Sequence, residues 1–82
     1  MGSSSPLSVT EPAADLDILL QVRINLRLDI AVPRHRISVA VANGWVTISG
    51  EVAHAFQRSC AEADARSAVG VLGVNNKIAV RP

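Results

Sequence analysis

Residues 37–52 read ISVAVANGWVTISGEV, and this stretch decides the fold. Ile37, Val39 and Val41 alternate with small or polar residues, Asn43-Gly44 intervenes, and Val46, Ile48 and Val52 take up the alternation again. A period of two belongs to a strand, whose successive side chains point to opposite faces. Asn-Gly tolerates the positive φ angles of a two-residue type I′ turn, whose twist suits antiparallel strands. The stretch is therefore a β-hairpin. Its six apolar side chains share one face, while Ser38, Ala40, Ala42, Trp45, Thr47, Ser49 and Glu51 share the other. The first face needs a cover that an isolated hairpin cannot supply.

The flanking segments supply it. Residues 13–28 are good helix formers, with Asp15 and Asp17 in the first turns, where carboxylates complement the helix macrodipole. Thr10-Glu11-Pro12 is a helix start with Thr10 as the candidate N-cap. The apolar residues of this helix form two stripes, Ile18/Val22/Leu26 and Leu16/Leu20/Ile24, with Leu19 lying between Ile18 and Leu16. A helix laid on a small sheet buries one stripe, so the second is surplus, and Arg23 and Arg27 border it. Residues 29–36 contain Pro33 and no period, which makes them the loop feeding the hairpin. Gly50 interrupts the inward alternation, marking a bulge or the close approach of a helix. Residues 54–69 return to helical spacing with Ala61, Ala65 and Ala68 inward, small side chains that let the helix sit close to the sheet. Phe56 is expected under the end of the first helix, and Gly70 is placed to cap the second. Residues 71–80 read as a third strand, with Val74, Ile78 and Val80 inward.

The expected fold is thus α+β, an α-β-β-α-β two-layer sandwich in which two helices cover one face of a three-stranded mixed sheet. A right-handed crossover makes the third strand parallel to the second and gives order 1-2-3; order 2-1-3 is the alternative. Residues 1–12, Ser- and Pro-rich, read as a leader or an expression scar, and residues 13–82 as one domain.

Eighty-two residues leave room for one small core, which disfavours a cleft enzyme. The formal net charge of +1 is too small to drive the chain onto nucleic acid. A single cysteine, Cys60, rules out an intrachain disulfide and leaves the redox compartment open, periplasm or cytoplasm alike. No apolar run reaches the roughly 20 residues of a membrane span, and the N-terminus lacks the pattern of an export signal.

Few side chains suggest chemistry. His35 and His54 are assigned to opposite ends of the hairpin, so a shared metal or an acid-base pair is not expected. Cys60 reads as a small apolar residue within a helix. Gly70-Val71-Leu72-Gly73 spells G-x-x-G, yet it joins helix to strand and carries no basic residue, unlike a nucleic-acid clamp. Trp45 alone offers a stacking ring on the open face, which is little for single-stranded nucleic acid. No cofactor pattern is present, and the chain reads as non-enzymatic.

Arg34, His35 and Arg36 gather before the first strand, and Arg81, after the third, is placed at the opposite end of the sheet. Together with Leu16, Leu20, Arg23, Ile24 and Arg27, the Arg34-His35-Arg36 group forms a candidate surface for a phospholipid or an acidic partner. The plainer reading is a wide core-facing helix with arginine stems lying across it and a solvated basic loop.

Leu26-Arg27-Leu28-Asp29, Val32-Pro33, the hairpin core from Asn43-Gly44 through Gly50-Glu51-Val52, Gln57-Arg58, Ala61, and the closing Gly70-Val71, Val74, Asn76 and Ile78 resemble the BON domain, the bacterial transport-associated and nodulation domain. Leu28 stands where an aromatic residue is common, and Ala68-Val69 where bulkier residues and a proline are common. The resemblance implies the same α-β-β-α-β sandwich and no catalysis, with Asn43, Gly44, Gly50, Gly70 and Asn76 as structural positions. It also implies a place in larger envelope, osmotic-stress or pore-associated proteins, with phospholipid as a proposed ligand. Two alternatives accompany the binding reading: a potassium-responsive structural module, using carbonyls of the Gly70 to Gly73 turn, and self-association through the surplus stripe.

Overall fold

The computed structural model describes residues 11–81. The Thr10 cap and residues 1–10 of the expected leader lie outside the described residues. Helix α1 spans Glu11–Leu28, so Glu11 and Pro12 belong to the helix. A 3-10 turn, Arg34–Arg36, leads into β1 (Ile37–Ala42), followed by β2 (Trp45–Val52), α2 (Ala55–Arg66) and β3 (Gly73–Val80). The sheet order is β1-β2-β3, with β1 antiparallel and β3 parallel to β2.

Cross-strand register explains the core. Val39 pairs with Ile48 and Val41 with Val46, and on the far side Val46 pairs with Val74 and Gly50 with Ile78. All face the helices. Ile18, Val22 and Leu26 of α1 meet Val46, Ile48, Val52 and Ile78 of the sheet and Ala61, Ala65 and Ala68 of the second helical segment. The inward stripe of α1 is therefore Ile18/Val22/Leu26, and the surplus one is outward. The helices run antiparallel, α1 from the hairpin turn toward the start of β1 and α2 from the end of β2 toward the start of β3. Between them Asn25 donates from Nδ2 to the Asp64 carbonyl (3.0 Å) and to Ser67 Oγ (2.9 Å).

Asn43 and Gly44 take φ angles of 53° and 81°, as the turn requires. The Asp15 carboxylate accepts hydrogen bonds from both of their N–H groups at 2.9 Å, tying the start of α1 to the hairpin turn. Gly50, at φ 133°, has the end of the 3-10 turn, not α1 or α2, as its closest neighbour. A Cβ there would fall 2.0 Å from the Arg36 carbonyl oxygen, so the close neighbour is the chain entering β1.

Two further expectations are corrected. Helix α2 ends at Arg66 with Ser67 as its C-cap, so Gly70, at φ 95°, serves the turn into β3 rather than the helix end. Phe56 is exposed and stacks on His54 with ring centroids 5.6 Å apart, instead of packing under α1. Val80 keeps the inward parity of Ile78 and of its partner Val52, but at the end of the edge strand it stays 39% exposed and does not join the core.

Candidate functional site

The register brings both ends of the sequence-defined basic set to one place. Ile37, Gly50 and Ile78 stand side by side, so the start of β1 and the ends of β2 and β3 share one end of the sheet. Arg34–Arg36 and Arg81 are therefore at the same end, not at opposite ends. His35 and His54 likewise both flank the open end of the hairpin, because an antiparallel pair returns to where it began. The α1–β1 connection lies there too, since Asp15 fixes the other end of α1 at the turn.

At that end two large apolar side chains project. Ile30 is fully exposed and Leu28 is 75% exposed. Neither was singled out as a surface residue from sequence, because Leu28 continued a helical pattern and Ile30 fell in a loop. The same end carries Arg27, Arg34, His35 and Arg36, all exposed, and the half-buried Asp29 stands between the two apolar residues in the chain.

Along the flank, α1 and the outer edge of β1 enclose an open groove of about 640 Å³, lined by Leu20, Ile24 and Leu26, by Arg23, Arg27 and Arg34, and by residues 37–39. Leu20 (48%) and Ile24 (49%) are half exposed over it. Ser38 points to the opposite face of the sheet and still lines the groove, so one wall is the free backbone edge of β1. The candidate surface thus divides. Leu20, Arg23, Ile24, Arg27 and Arg34 share the groove; His35 and Arg36 belong to the end; Leu16 is exposed one helical turn farther toward the hairpin turn.

The arginines of this surface are without ion-pair partners among the described residues. Among the described residues the ion pairs are Arg66–Glu62 (3.1 Å) and Arg81–Glu51 (2.8 Å), and Arg58 is spent on backbone carbonyls. Arg23, Arg27, Arg34 and Arg36 have no carboxylate partner there, and no acidic residue lines the groove. The Asn76 amide and the Arg66 guanidinium, both hydrogen-bonded to Glu62, hold its carboxyl below the usual range.

A second electrostatic feature joins the helices. Asp64 Oδ2 is enclosed without a hydrogen-bond partner among the described residues. Burial first, then the hydrogen bond and charge of Asp29, push the Asp64 carboxyl up to about 7. Protonated Asp64 can donate to Asp29, whose Oδ1 also accepts from the Ala31 N–H at 3.0 Å. Among the described residues no group of three or more His, Cys, Asp or Glu side chains could hold a metal ion, and no helix is long and apolar enough to cross a membrane.

These features define a small two-layer α+β module whose conspicuous surface is a basic, apolar flank. Residues 14–82 match the model of the BON domain, and the chain belongs to that family. BON domains are in general non-catalytic modules associated with binding to membranes or proteins. A comparison with curated proteins finds no match.

Proposed function

We propose that this domain attaches a larger bacterial envelope or stress protein to anionic phospholipid surfaces, resting on the α1–β1 connection and the adjoining flank of α1. The observation that carries this reading is the exposed Leu28 and Ile30 pair at the end of the fold that also carries exposed Arg27, Arg34, His35 and Arg36. Apolar side chains that enter the headgroup region and cations that meet anionic lipid add affinity by separate physical terms, roughly 1.5–3 kcal/mol for a fully buried Leu or Ile and ~1 kcal/mol for each near-surface Arg. Neither term anchors a domain alone; together they give reversible attachment.

The test is flotation of the chain with phosphatidylglycerol vesicles against phosphatidylcholine vesicles, at low and high salt. Binding is expected to be selective for the anionic vesicles and weakened by salt. Leu28→Ser with Ile30→Ser is expected to weaken it at any salt. Arg34→Glu with Arg36→Glu should remove the preference for anionic lipid, and Leu20→Ser with Ile24→Ser reports how far up α1 the contact extends. Equal flotation with both lipids, or flotation unchanged in the Leu28/Ile30 variant, would refute the assignment.

A further inference from the structure

The two edges of the sheet are finished differently. On β3, Arg58 donates from Nε to the Ile78 carbonyl (3.0 Å) and from Nη2 to the Asn76 carbonyl (3.1 Å), while Asn76 Oδ1 accepts from the Ile78 N–H (3.1 Å). The chain's own side chains thus occupy that edge, and Lys77 adds a charge of the kind that discourages further pairing. On β1, Ile37–Ala42 holds no charged residue and no proline, and its register with β2 is unbroken over all six residues, so no bulge blunts it. Nothing comparable to the Arg58 clasp lies along it among the described residues.

Cover is also incomplete on the β1 side. Val46 and Ile48 of β2 are fully buried, whereas their partners Val41 and Val39 are only half buried. Leu20 and Ile24 overhang the same gap. A further strand, placed about 4.8 Å beyond β1, would lie beneath that overhang.

We propose that β1 receives an extended, acidic segment of another protein as a fourth strand. Backbone hydrogen bonds along Ile37–Ala42 hold it, alternate apolar side chains enter the groove against Leu20, Ile24 and Val39, and its carboxylates meet Arg23, Arg27 and Arg34. This is strand addition, in which main-chain bonds give affinity and side-chain pockets give selectivity. Charge complementarity selects the occupant. The groove presents three guanidinium groups and no carboxylate. A second copy of this chain would offer Ile37–Ala42, which carries no carboxylate either, and would bring another set of arginines to the same seam. A lipid chain would leave the N–H and C=O groups of the edge unpaired. The inference goes beyond membrane attachment and stands without it, because Leu28 and Ile30 project at the end of the sheet while the groove follows its side.

The test uses the full 82-residue chain, ¹⁵N-labelled, in lipid-free buffer. It is titrated with a synthetic peptide of alternating threonine and valine ending in three glutamates, and in parallel with the same peptide ending in three lysines. With the acidic peptide, the amide signals of Ile37–Ala42 shift and their hydrogen exchange slows. The basic peptide binds at least about tenfold more weakly, the combined effect of three partly exposed ion pairs. Arg23→Glu with Arg27→Glu changes exposed side chains only and inverts that preference. The proposal is overturned by equal binding of the two peptides, by shifts confined to residues outside β1, or by no shift at about 1 mM peptide. It is also overturned if β1 signals move with protein concentration alone, which would make a second copy the occupant. Since no membrane is present, failure here leaves the phospholipid reading standing, and failure of flotation leaves this one standing.

Discussion

Replacing Asp64 by Asn tests the carboxyl pair between the helices and has a definite sign. Asp64 titrates near 4 when the chain is unfolded and at about 7 when folded, chiefly because burial disfavours its charged form and then because Asp29 faces it. Between those values the folded state binds the extra proton, so stability falls as pH rises through the window. Below pH 4 the carboxyl is protonated in both states and no penalty exists. Above pH 8 it is ionised in both, and the folded chain bears the full cost of two facing carboxylates.

Each unit of pKa corresponds to about 1.4 kcal/mol, and discounting for the partial solvent access of Asp64 leaves a penalty of about 1–2 kcal/mol above pH 8. Asparagine presents at every pH the N–H donor that the protonated acid offers Asp29, and its intrinsic helix propensity is similar to that of aspartate. Thermal unfolding of the two proteins should therefore give similar Tm values near pH 4. By pH 8 the Asp64→Asn variant should melt higher by about 4–16 °C, since ~1 kcal/mol corresponds to roughly 4–8 °C in a domain of this size. Glu62 has a lowered pKa and contributes the opposite slope at acid pH, but it is present in both proteins and cancels in the difference. Parallel Tm curves from pH 4 to 8, or a wild type that gains on the variant as pH rises, would refute the reasoning.

Gly50→Ala should destabilise by about 3 kcal/mol or more and fail in a urea melt at a lower midpoint, because the new Cβ meets a backbone oxygen 2.0 Å away at a φ of 133° that L residues rarely adopt. A midpoint within error of wild type would mean that β1 can be displaced without cost. Asn76→Ala removes hydrogen bonds to the Arg58 carbonyl, Glu62 and the Ile78 N–H, for a loss of about 2–3 kcal/mol, and should also speed hydrogen exchange at Ile78.

The layer structure was legible because its signals are local. A period of two on each side of Asn43-Gly44 and alanines at helical spacing after His54 are patterns within a few residues, and the handedness of the crossover then orders the strands. What failed depends on the ends of elements. Placing Arg34–Arg36 and Arg81 at opposite ends contradicted strand directions already implied by the hairpin and the crossover; following those directions through unites them. Phe56 is expected under the end of α1, yet in the first turn of α2, at the open end of the hairpin, it stacks on His54. Asn76 matched a family position, but its bonds to Arg58 and Glu62 join residues 18 and 14 apart, spacings that no strand or helix period connects. Asp29 and Asp64 meet only through the packing of α1 on α2, which brings the last turn of one helix beside the last turn of the other.

The groove follows from a mismatch of layer widths that the surplus stripe announced without locating. Two helices side by side, each about 10 Å across, span roughly 20 Å, whereas three strands at about 4.8 Å span roughly 14 Å. The helical layer is wider by about one strand, and the overhang has to fall on one side. Alanines at 61, 65 and 68 set α2 close to the sheet, and Arg58 fastens it to the outer edge of β3. With that side fixed, the excess lies under α1, where Leu20 and Ile24 stay half exposed over the groove beside β1. The outer stripe of α1 is therefore more than extra apolar surface on a helix: it is the roof over a vacancy about one strand wide, whose floor is an unprotected strand edge and whose mouth is basic.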